Sequence, residues 1–395
     1  MTGRRVVLGV SGGIASYKAC TVARRLSEAG AEVQVVLTAA ATEFVGPVTF
    51  EALTGRPPLI SLWQPGHTLA HVEMARHAHL IVVAPATAHL LARAAQGMAD
   101  DLLTALLLAR SGPVLCAPAM NDRMFAHPAT RENVRTLTAR GWSLVGPATG
   151  PLAEGPSDQP GRMSEPEEIC VWAERLLRSS GRLVGRRVVV TAGPTREPLD
   201  PVRVLTNRSS GRMGFALASV AFARGADVVL ISGPTAVPWP LGVEVRRVET
   251  TRELEDAVGA ALPGAHVLIM AAAPADYAPA APEAKKQPRG EGRQTVDLVP
   301  TPDVLGSTRG RRPPGCICVG FALETGEGAL ARARAKLHAK GLDLIVLNRA
   351  DQPGAGPEVQ TNAVTLVTPQ GSTAVPLQSK REVAERVWDA VEGLL

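Results

Sequence analysis

One pattern occurs twice in this 395-residue chain and limits its fold more than any other feature. Arg4-Arg5-Val-Val-Leu-Gly-Val is a continuously apolar strand. It runs into Ser11-Gly12-Gly13 and a helical pattern from Ile14 to Ala29, after which Gly30-Ala31-Glu32-Val33 opens another strand. In the second half Arg186-Arg187-Val-Val-Val-Thr191 is again an apolar strand, followed by the turn Ala192-Gly193-Pro194. A further turn, Ser209-Ser210-Gly211, opens a helix from Met213 to Arg224, and Gly225-Ala226-Asp227-Val228 starts the next strand. Strands without polar alternation have no water-facing side, so they belong to parallel sheets covered by helices on both faces. Each half is therefore expected to be a doubly wound, Rossmann-like α/β domain. A chain of this length exceeds one ordinary core. The polar stretch from Arg178 to Gly185 reads as the linker, which sets the expected domains at 1–182 and 183–395.

Composition narrows the function classes. With 45% hydrophobic and 20% charged residues the chain is globular, not disordered. Its apolar runs, such as Leu102 to Ala109, are short enough to be buried helix and too short to cross a bilayer. The net charge of +5 invites a nucleic-acid reading, but aromatic residues are only 3% and the arginines are scattered. Phosphate-bearing ligands explain the charge better, so neither nucleic acid nor membrane is an expected partner. The N-terminus enters a strand at once, unlike a secretory signal. Five unevenly spread cysteines do not make a disulfide framework, and a reducing cytoplasm is the expected compartment. Two stretches lack regular periodicity, 146–168 and 278–294. Long irregular loops of this kind serve as lids or binding loops.

In the first half Ser11-Gly12-Gly13-Ile14-Ala15 sits where a strand meets a helix. Backbone amides there can hold a phosphate, although a purely structural turn reads the same way. Ile81-Val-Val-Ala84 is a buried strand ending in Pro85-Ala86-Thr87-Ala88, and Val114-Leu-Cys-Ala-Pro118 is another ending in Ala119-Met120-Asn121. Open α/β sheets bind ligands at such strand ends. Together with His71-Val-Glu-Met-Ala-Arg76, Gly97-Met98, Asp101-Leu102 and Met124, these runs resemble the homo-oligomeric flavin-containing cysteine decarboxylases over most of residues 4–175.

The resemblance implies bound FMN, with Ser11, Gly12, Gly13, Ile14, Ala15, Ser16, Thr38, Pro85, Ala86, Thr87 and Asp101 near it. In such chemistry flavin oxidises the cysteinyl thiol to a thioaldehyde, whose sulfur accepts the electrons released as CO2 leaves, and a hydride is then returned. His71 is the expected base, Asn121 the holder of the substrate carboxylate and Arg76 an added cation. For His71 a surface histidine, or a metal ligand within the cluster His67, His71, His77 and His79, are the competing readings. One departure stands out. Where the family carries Ala-Cys-Gly ahead of Gly-Arg-Met, with the cysteine protonating the intermediate, this chain has Ala153-Glu154-Gly155 and Gly161-Arg162-Met163. Glu154 is either a proton donor in a dry pocket or a solvated loop residue. Cys116 and Cys170, the nearest thiols in sequence, fall in packed strand or helix.

In the second half two polar turns, 191–203 and 205–214, make an anion cradle ahead of a helix. Ala271-Ala272-Ala273-Pro274-Ala275-Asp276, Thr301-Pro302-Asp303-Val304 and Gly320-Phe321-Ala322 follow. Lys336 and Lys340 stand four apart on one helix face, able to address a polyphosphate or simply to be solvated. These stretches resemble the phosphopantothenate–cysteine ligases from Arg186 to the C-terminus, and the order of the halves is that of the bacterial bifunctional enzyme.

The resemblance implies CTP as co-substrate with Mg2+, and an acyl-cytidylate that cysteine attacks. Asp276 is placed at the cytidine or the metal, Phe321 and Ala272 at the base, and Lys336 and Lys340 at the triphosphate. Pro302, Asp303 and Val304 belong to the nucleotide site. Asn207 holds the acyl-cytidylate, and Arg208 and Arg212 face phosphopantothenate. Lys285 is preferred over Lys286 as the catalytic flap lysine. Cys316 and Cys318 are read as core. The expected partners are small molecules (phosphopantothenate, cysteine and CTP) and further copies of the chain, in a dodecamer of trimeric flavin domains sharing a site and paired ligase domains. A flavoprotein acting on a peptide C-terminal cysteine explains only the first half. A phosphate-binding regulator explains the turns but not His71 with Asn121.

Overall fold

The computed structural model describes residues 1–63, 69–178, 181–288, 292–349, 353–356 and 358–395, so His67 lies outside the described residues. The chain divides into two units, Met1–Arg178 and Ser179–Leu395.

The first unit carries β1 (Arg5–Val10), β2 (Glu32–Leu37), β3 (Leu80–Ala86), β4 (Val114–Pro118) and β5 (Trp142–Leu144) in one parallel sheet of order β2-β1-β3-β4-β5. β3 and β4 are buried along their whole length, as continuous apolar strands must be when helices cover both faces. The helix Ser16–Glu28 lays Ala19, Val22, Ala23 and Leu26 on the sheet, each free of solvent. A fully buried leucine such as Leu26 is worth roughly 1.5–3 kcal/mol over an exposed one. The chain leaves β1 to pair β2 on one side and returns to pair β3 on the other. That reversal opens a crevice at the strand C-termini, between Ser11 and Thr87.

The second unit contains β6 (Arg187–Ala192), β7 (Arg196–Pro198), β8 (Val204–Thr206), β9 (Asp227–Ser232), β10 (Glu244–Arg247), β11 (Val267–Met270), β12 (Tyr277–Pro279), β13 (Leu298–Pro300), β14 (Ile317–Glu324), β15 (Leu344–Arg349), β16 (Thr361–Val367) and β17 (Ser372–Ser379). The large sheet has the order β10-β9-β6-β11-β14-β15-β16-β17. Its switch point is again beside the first strand, here between β6 and β11, where Ala273 N donates to Gly193 O at 2.9 Å. β10, β9, β6, β11, β14 and β15 are parallel, but β16 and β17 are antiparallel additions, which corrects the expectation of purely parallel sheets. A tight turn, in which Thr368 N donates to Gly371 O, joins them, and a hairpin needs no crossover helix. β7–β8 and β12–β13 form two small hairpins outside the large sheet.

Candidate active sites

In the first unit the switch-point crevice is a cleft of about 740 Å³. Ser11, Gly12, Gly13, Ile14, Ala15, Thr38, Thr87, Asp101, Asn121 and Glu154 line it. Ser11 Oγ donates to Pro85 O (2.8 Å) and accepts from Thr87 N (3.0 Å), tying the two strand ends together. Gly12 is required by close approach: a Cβ there would lie 2.5 Å from the Ala40 carbonyl. Such a backbone cradle fits a phosphate. Thr38 caps the turn Ala39–Thr42, accepting from Ala41 N. Asp101 caps the helix Leu102–Ala109 and pairs with Arg93 at 2.8 Å. Ser16, Pro85 and Ala86, by contrast, are not in the lining. Ser16 Oγ donates back to Ser11 O, Pro85 O accepts from Ser11, and Ala86 is fully buried, so all three brace the wall from behind.

The orientation of Asn121 follows from its neighbours. Its Oδ1 accepts from Arg123 N (2.8 Å) and Met124 N (3.3 Å), capping the short helix Asp122–Ala126. Nδ2 is thereby turned away from the cap, and it donates to Glu154 Oε1. Glu154 arrives on a flap, the irregular stretch 146–168. Ala148 and Arg162 pair through Ala148 N to Arg162 O (2.7 Å), and Leu152 N donates to Gly155 O (2.8 Å) at its tip. Ser157 Oγ donates to Asp122 Oδ2 at 2.5 Å and holds that carboxyl below its usual range. Cys116 and Cys170 do not replace the missing flap thiol. Burial pushes both up to about 12, and neither lines the cleft. Cys318 sits in the core, likewise pushed to about 12 by burial, with Cys316 packed against it.

His71 and Arg76 are not in the lining of their own chain's cleft. Both lie on the helix Ala70–His77, which packs against Leu102–Ala109. Arg76 is exposed. His71 Nδ1 is buried with no hydrogen-bond partner among the described residues, a costly state for a ring nitrogen. His79 Nδ1 instead accepts from Arg5 N at 2.9 Å. Nothing in the local sequence specifies which cleft the His71 side chain serves.

In the second unit most of the nucleotide candidates gather at the ends of β6, β11 and β14. Thr191 Oγ1 accepts from Ala272 N (3.1 Å) and Thr195 Oγ1 from Ala275 N (2.9 Å). Asp276 O accepts from Thr301 N (3.0 Å), and the Asp276 side chain is exposed. Asn207 Nδ2 donates to Pro274 O at 2.8 Å. Asp303 caps the turn Val304–Ser307 and pairs with Lys340, which holds its carboxyl below the usual range against the opposing effect of burial. Lys336 Nζ donates to Phe321 O at 3.2 Å. Gly211 opens the helix Arg212–Ala223 at φ +75°, a left-handed conformation that favours glycine. Asp276 has no cluster of acidic partners: no group of three metal-ligating side chains occurs among the described residues.

Lys285 is exposed on the segment that follows β12. Asp200 secures this segment. Its side chain is 1% exposed and accepts from Val202 N, Arg203 N and the Arg203 guanidinium, and from Gln287 N at 3.3 Å. The Arg203 guanidinium, followed by those backbone donors, holds the Asp200 carboxyl well below the usual range. A depressed folded-state value means that this stabilisation is complete above the ordinary aspartate value of about 3.9 and is lost as pH falls toward the folded value. Asp200→Asn is expected to speed amide exchange at Arg203 and Gln287 several-fold at neutral pH, whereas the wild type loosens only in acid. Equal exchange rates in the two proteins would remove the clasp.

Arg162 of the flap motif also lines the cleft, as do Tyr17, Lys18, His89 and Arg93, which were not anticipated. Lys18 was readable: it falls on the stripe of Val22 and Leu26, and a lysine in an apolar stripe needs a reason. Its Nζ donates to Met163 O (3.2 Å) and Glu165 (3.0 Å). Lys380, at the start of the last helix, was also missed. It is 5% exposed, and burial first and the Arg212 charge second push it down to about 8.

Two family models cover the chain: Flavoprotein matches residues 1–177, and the DNA/pantothenate metabolism flavoprotein C-terminal domain matches 183–394. The coenzyme A biosynthesis bifunctional protein CoaBC of Vibrio vulnificus (strain YJ016) is 43% identical over 399 residues, spanning 100% of this chain and 99% of that one. The protein of the same name from Mycobacterium tuberculosis (strain ATCC 25618 / H37Rv) is 48% identical over 407 residues, spanning 99% and 97%. A solved C-terminal domain of a CoaBC protein is 36% identical over 54% of this chain and 98% of its own, with a TM-score of 0.46. No helix among the described residues is long and apolar enough to cross a membrane. With two domain matches in this order and full-length relatives at these identities, the chain belongs to the CoaBC family of bifunctional coenzyme A biosynthesis enzymes.

Proposed function

We propose that the chain ligates cysteine to phosphopantothenate with CTP and then decarboxylates the product to phosphopantetheine with FMN. The two activities fall on domains 1–182 and 183–395. The observation that carries the decarboxylase half is Asn121: its carbonyl is used up in a helix cap, so its amide is offered to a cleft that already has a phosphate cradle. FMN, held by Ser11–Ala15, Thr38 and Thr87, supplies the oxidation that makes the substrate sulfur an electron sink. Asn121 holds the substrate carboxylate with a neutral donor, which does not oppose its loss as CO2. Glu154, at hydrogen-bond range of Asn121, gives the final proton.

His71 acts as the base, and Arg76 adds a cation, at the cleft of a neighbouring copy. This follows the trimeric arrangement and accounts for the absence of both from their own cleft. The exposed apolar side chains around their helix, Trp63, Leu69 and Leu108, supply surface for such contact. In the second unit Val202, Val204, Tyr277, Leu298 and Val299 are exposed on the two small hairpins and supply a surface for pairing of ligase domains. Trimers and pairs together give the dodecamer.

In the ligase, Lys336 and Lys340 neutralise the triphosphate, with Asp303 releasing Lys340 from its present ion pair. Pro302 and Val304 shape the turn that carries Asp303. Phe321 and Ala272 flank the base. Asp276 binds Mg2+ as a single carboxylate alongside nucleotide phosphates, a common way for this ion to be held. Asn207 fixes the acyl-cytidylate and Lys285 closes over it. These reactions, with small-molecule partners only, belong in the cytoplasm.

Mass spectrometry of products from phosphopantothenate, cysteine, CTP and Mg2+ tests the whole reading. Wild type should yield phosphopantetheine and CMP. Glu154→Gln should accumulate a species lighter than phosphopantetheine by one hydrogen molecule, the enethiol stalled before protonation. CMP release that ignores cysteine would end the ligase assignment. Unchanged turnover in the variant would end the role of Glu154.

A further inference from the structure

The amide that Asn121 presents to the cleft is already engaged, because Nδ2 donates to Glu154 Oε1. On the decarboxylase reading, which this inference rests on, the substrate carboxylate is held by the same Nδ2, whose two N–H groups then bring it beside Glu154. Substrate and flap therefore bring two negative charges to one neutral amide. The cations in this chain's own lining are committed elsewhere, so Arg76 of a neighbouring copy, on the same reading, offsets at most one of the two charges. Lys18 and Arg162 both pair with Glu165, at 3.0 and 2.5 Å, and Arg93 pairs with Asp100 and Asp101. Asp122, next to Asn121 and bonded to Ser157, adds negative charge, as does Asp158 on the flap. Arg123 lies exposed beside Asp122, and Tyr17 and His89 are the remaining titratable groups in the lining.

Two carboxylates at hydrogen-bond range do not both stay ionised, and one takes a proton. α-Carboxyl groups are intrinsically more acidic than glutamate side chains, so the proton goes to the glutamate and leaves the substrate in the form that can lose CO2. We infer that binding of the substrate carboxylate against Asn121 loads Glu154 with a proton from solvent, and that this is the proton later delivered to the product. The balance closes. The bond from the α-carbon to the carboxylate breaks, its electron pair stays on the α-carbon and is shared with the sulfur, and CO2 departs. The proton moves from the Glu154 carboxyl to that carbon. Glu154, ionised again, returns to the amide that the carboxylate has left. Each turnover consumes one proton, as loss of CO2 from a carboxylate with protonation of carbon requires. The flap thus brings its acid into action only when a substrate carboxylate is present.

The test uses flavin-loaded full-length protein and phosphopantothenoyl-alanine, which keeps the carboxylate but has no thiol to oxidise. Calorimetry in two buffers of different protonation enthalpy reads proton uptake. Near neutral pH this ligand should take up close to one proton per site more than phosphopantothenoyl-ethylamine, which carries the same phosphate without the carboxylate. In Glu154→Gln the difference should fall to near zero while the alanine ligand still binds. Equal uptake with both ligands in wild type, or the full difference retained in the variant, overturns the inference alone. Failure of the alanine ligand to bind wild type overturns the decarboxylase reading beneath it.

Discussion

His71→Asn is expected to reduce CO2 release by at least about 10²-fold, the usual worth of a positioned general base. CTP-dependent formation of phosphopantothenoylcysteine should stay close to the wild-type rate. Asparagine keeps a hydrogen-bonding group at the position of Nδ1 but cannot take and hold a proton near neutrality. Because Nδ1 is buried without a partner among the described residues, losing it breaks no hydrogen bond there, and stability should change little. The loss is therefore chemical. A second readout follows from placing His71 at a neighbour's cleft. When His71→Asn is mixed with Asn121→Ala under conditions that exchange subunits, some clefts combine an intact His71 from one copy with an intact Asn121 from another. Decarboxylation should reappear in the mixture although each variant is inactive alone. No recovery in exchanged oligomers would return His71 to its own chain. Loss of ligation together with decarboxylation in a folded variant would undo the separation of the two sites.

The parts of this molecule that were legible in the sequence are those fixed by local chemistry. β1, β3 and β4 announced themselves by continuous apolar runs, and their ends located Ser11, Thr87 and Asn121 at the cleft because ligands bind where strands end. Ser16, Pro85 and Ala86 lie at the turn, but which side of a wall a residue faces depends on packing that periodicity does not encode. The contact between Asn121 and Glu154 spans 33 positions and depends on how the flap folds back, which no local pattern encodes. β16 and β17 depart from the parallel pattern because a short turn joins them, and connection length, not apolar content, distinguishes a hairpin from a crossover. His71 does not line its own chain's cleft, and no pattern within one sequence specifies a neighbour.

In the ligase half the largest expected effect is at Asn207. Its Nδ2 donates to Pro274 O at 2.8 Å and ties the turn after β8 to the loop between β11 and β12 that carries Asp276. Asn207→Asp replaces that donor with an acceptor of nearly the same shape. The carboxylate then meets a backbone carbonyl in the free protein, and the phosphate of the acyl-cytidylate during turnover. Both contacts change from attractive to repulsive. Removing one donor aimed at developing charge costs about 10²–10³ in turnover, and the added negative charge pushes the loss toward the upper end. Ligation of phosphopantothenate and cysteine should fall by that factor, while phosphopantothenoylcysteine supplied directly is still decarboxylated at the wild-type rate. The two assays on one preparation separate the outcomes. A variant that ligates normally leaves Asn207 as a turn residue only, and one that loses decarboxylation as well would mean that the flavin cleft depends on the ligase domain's loops.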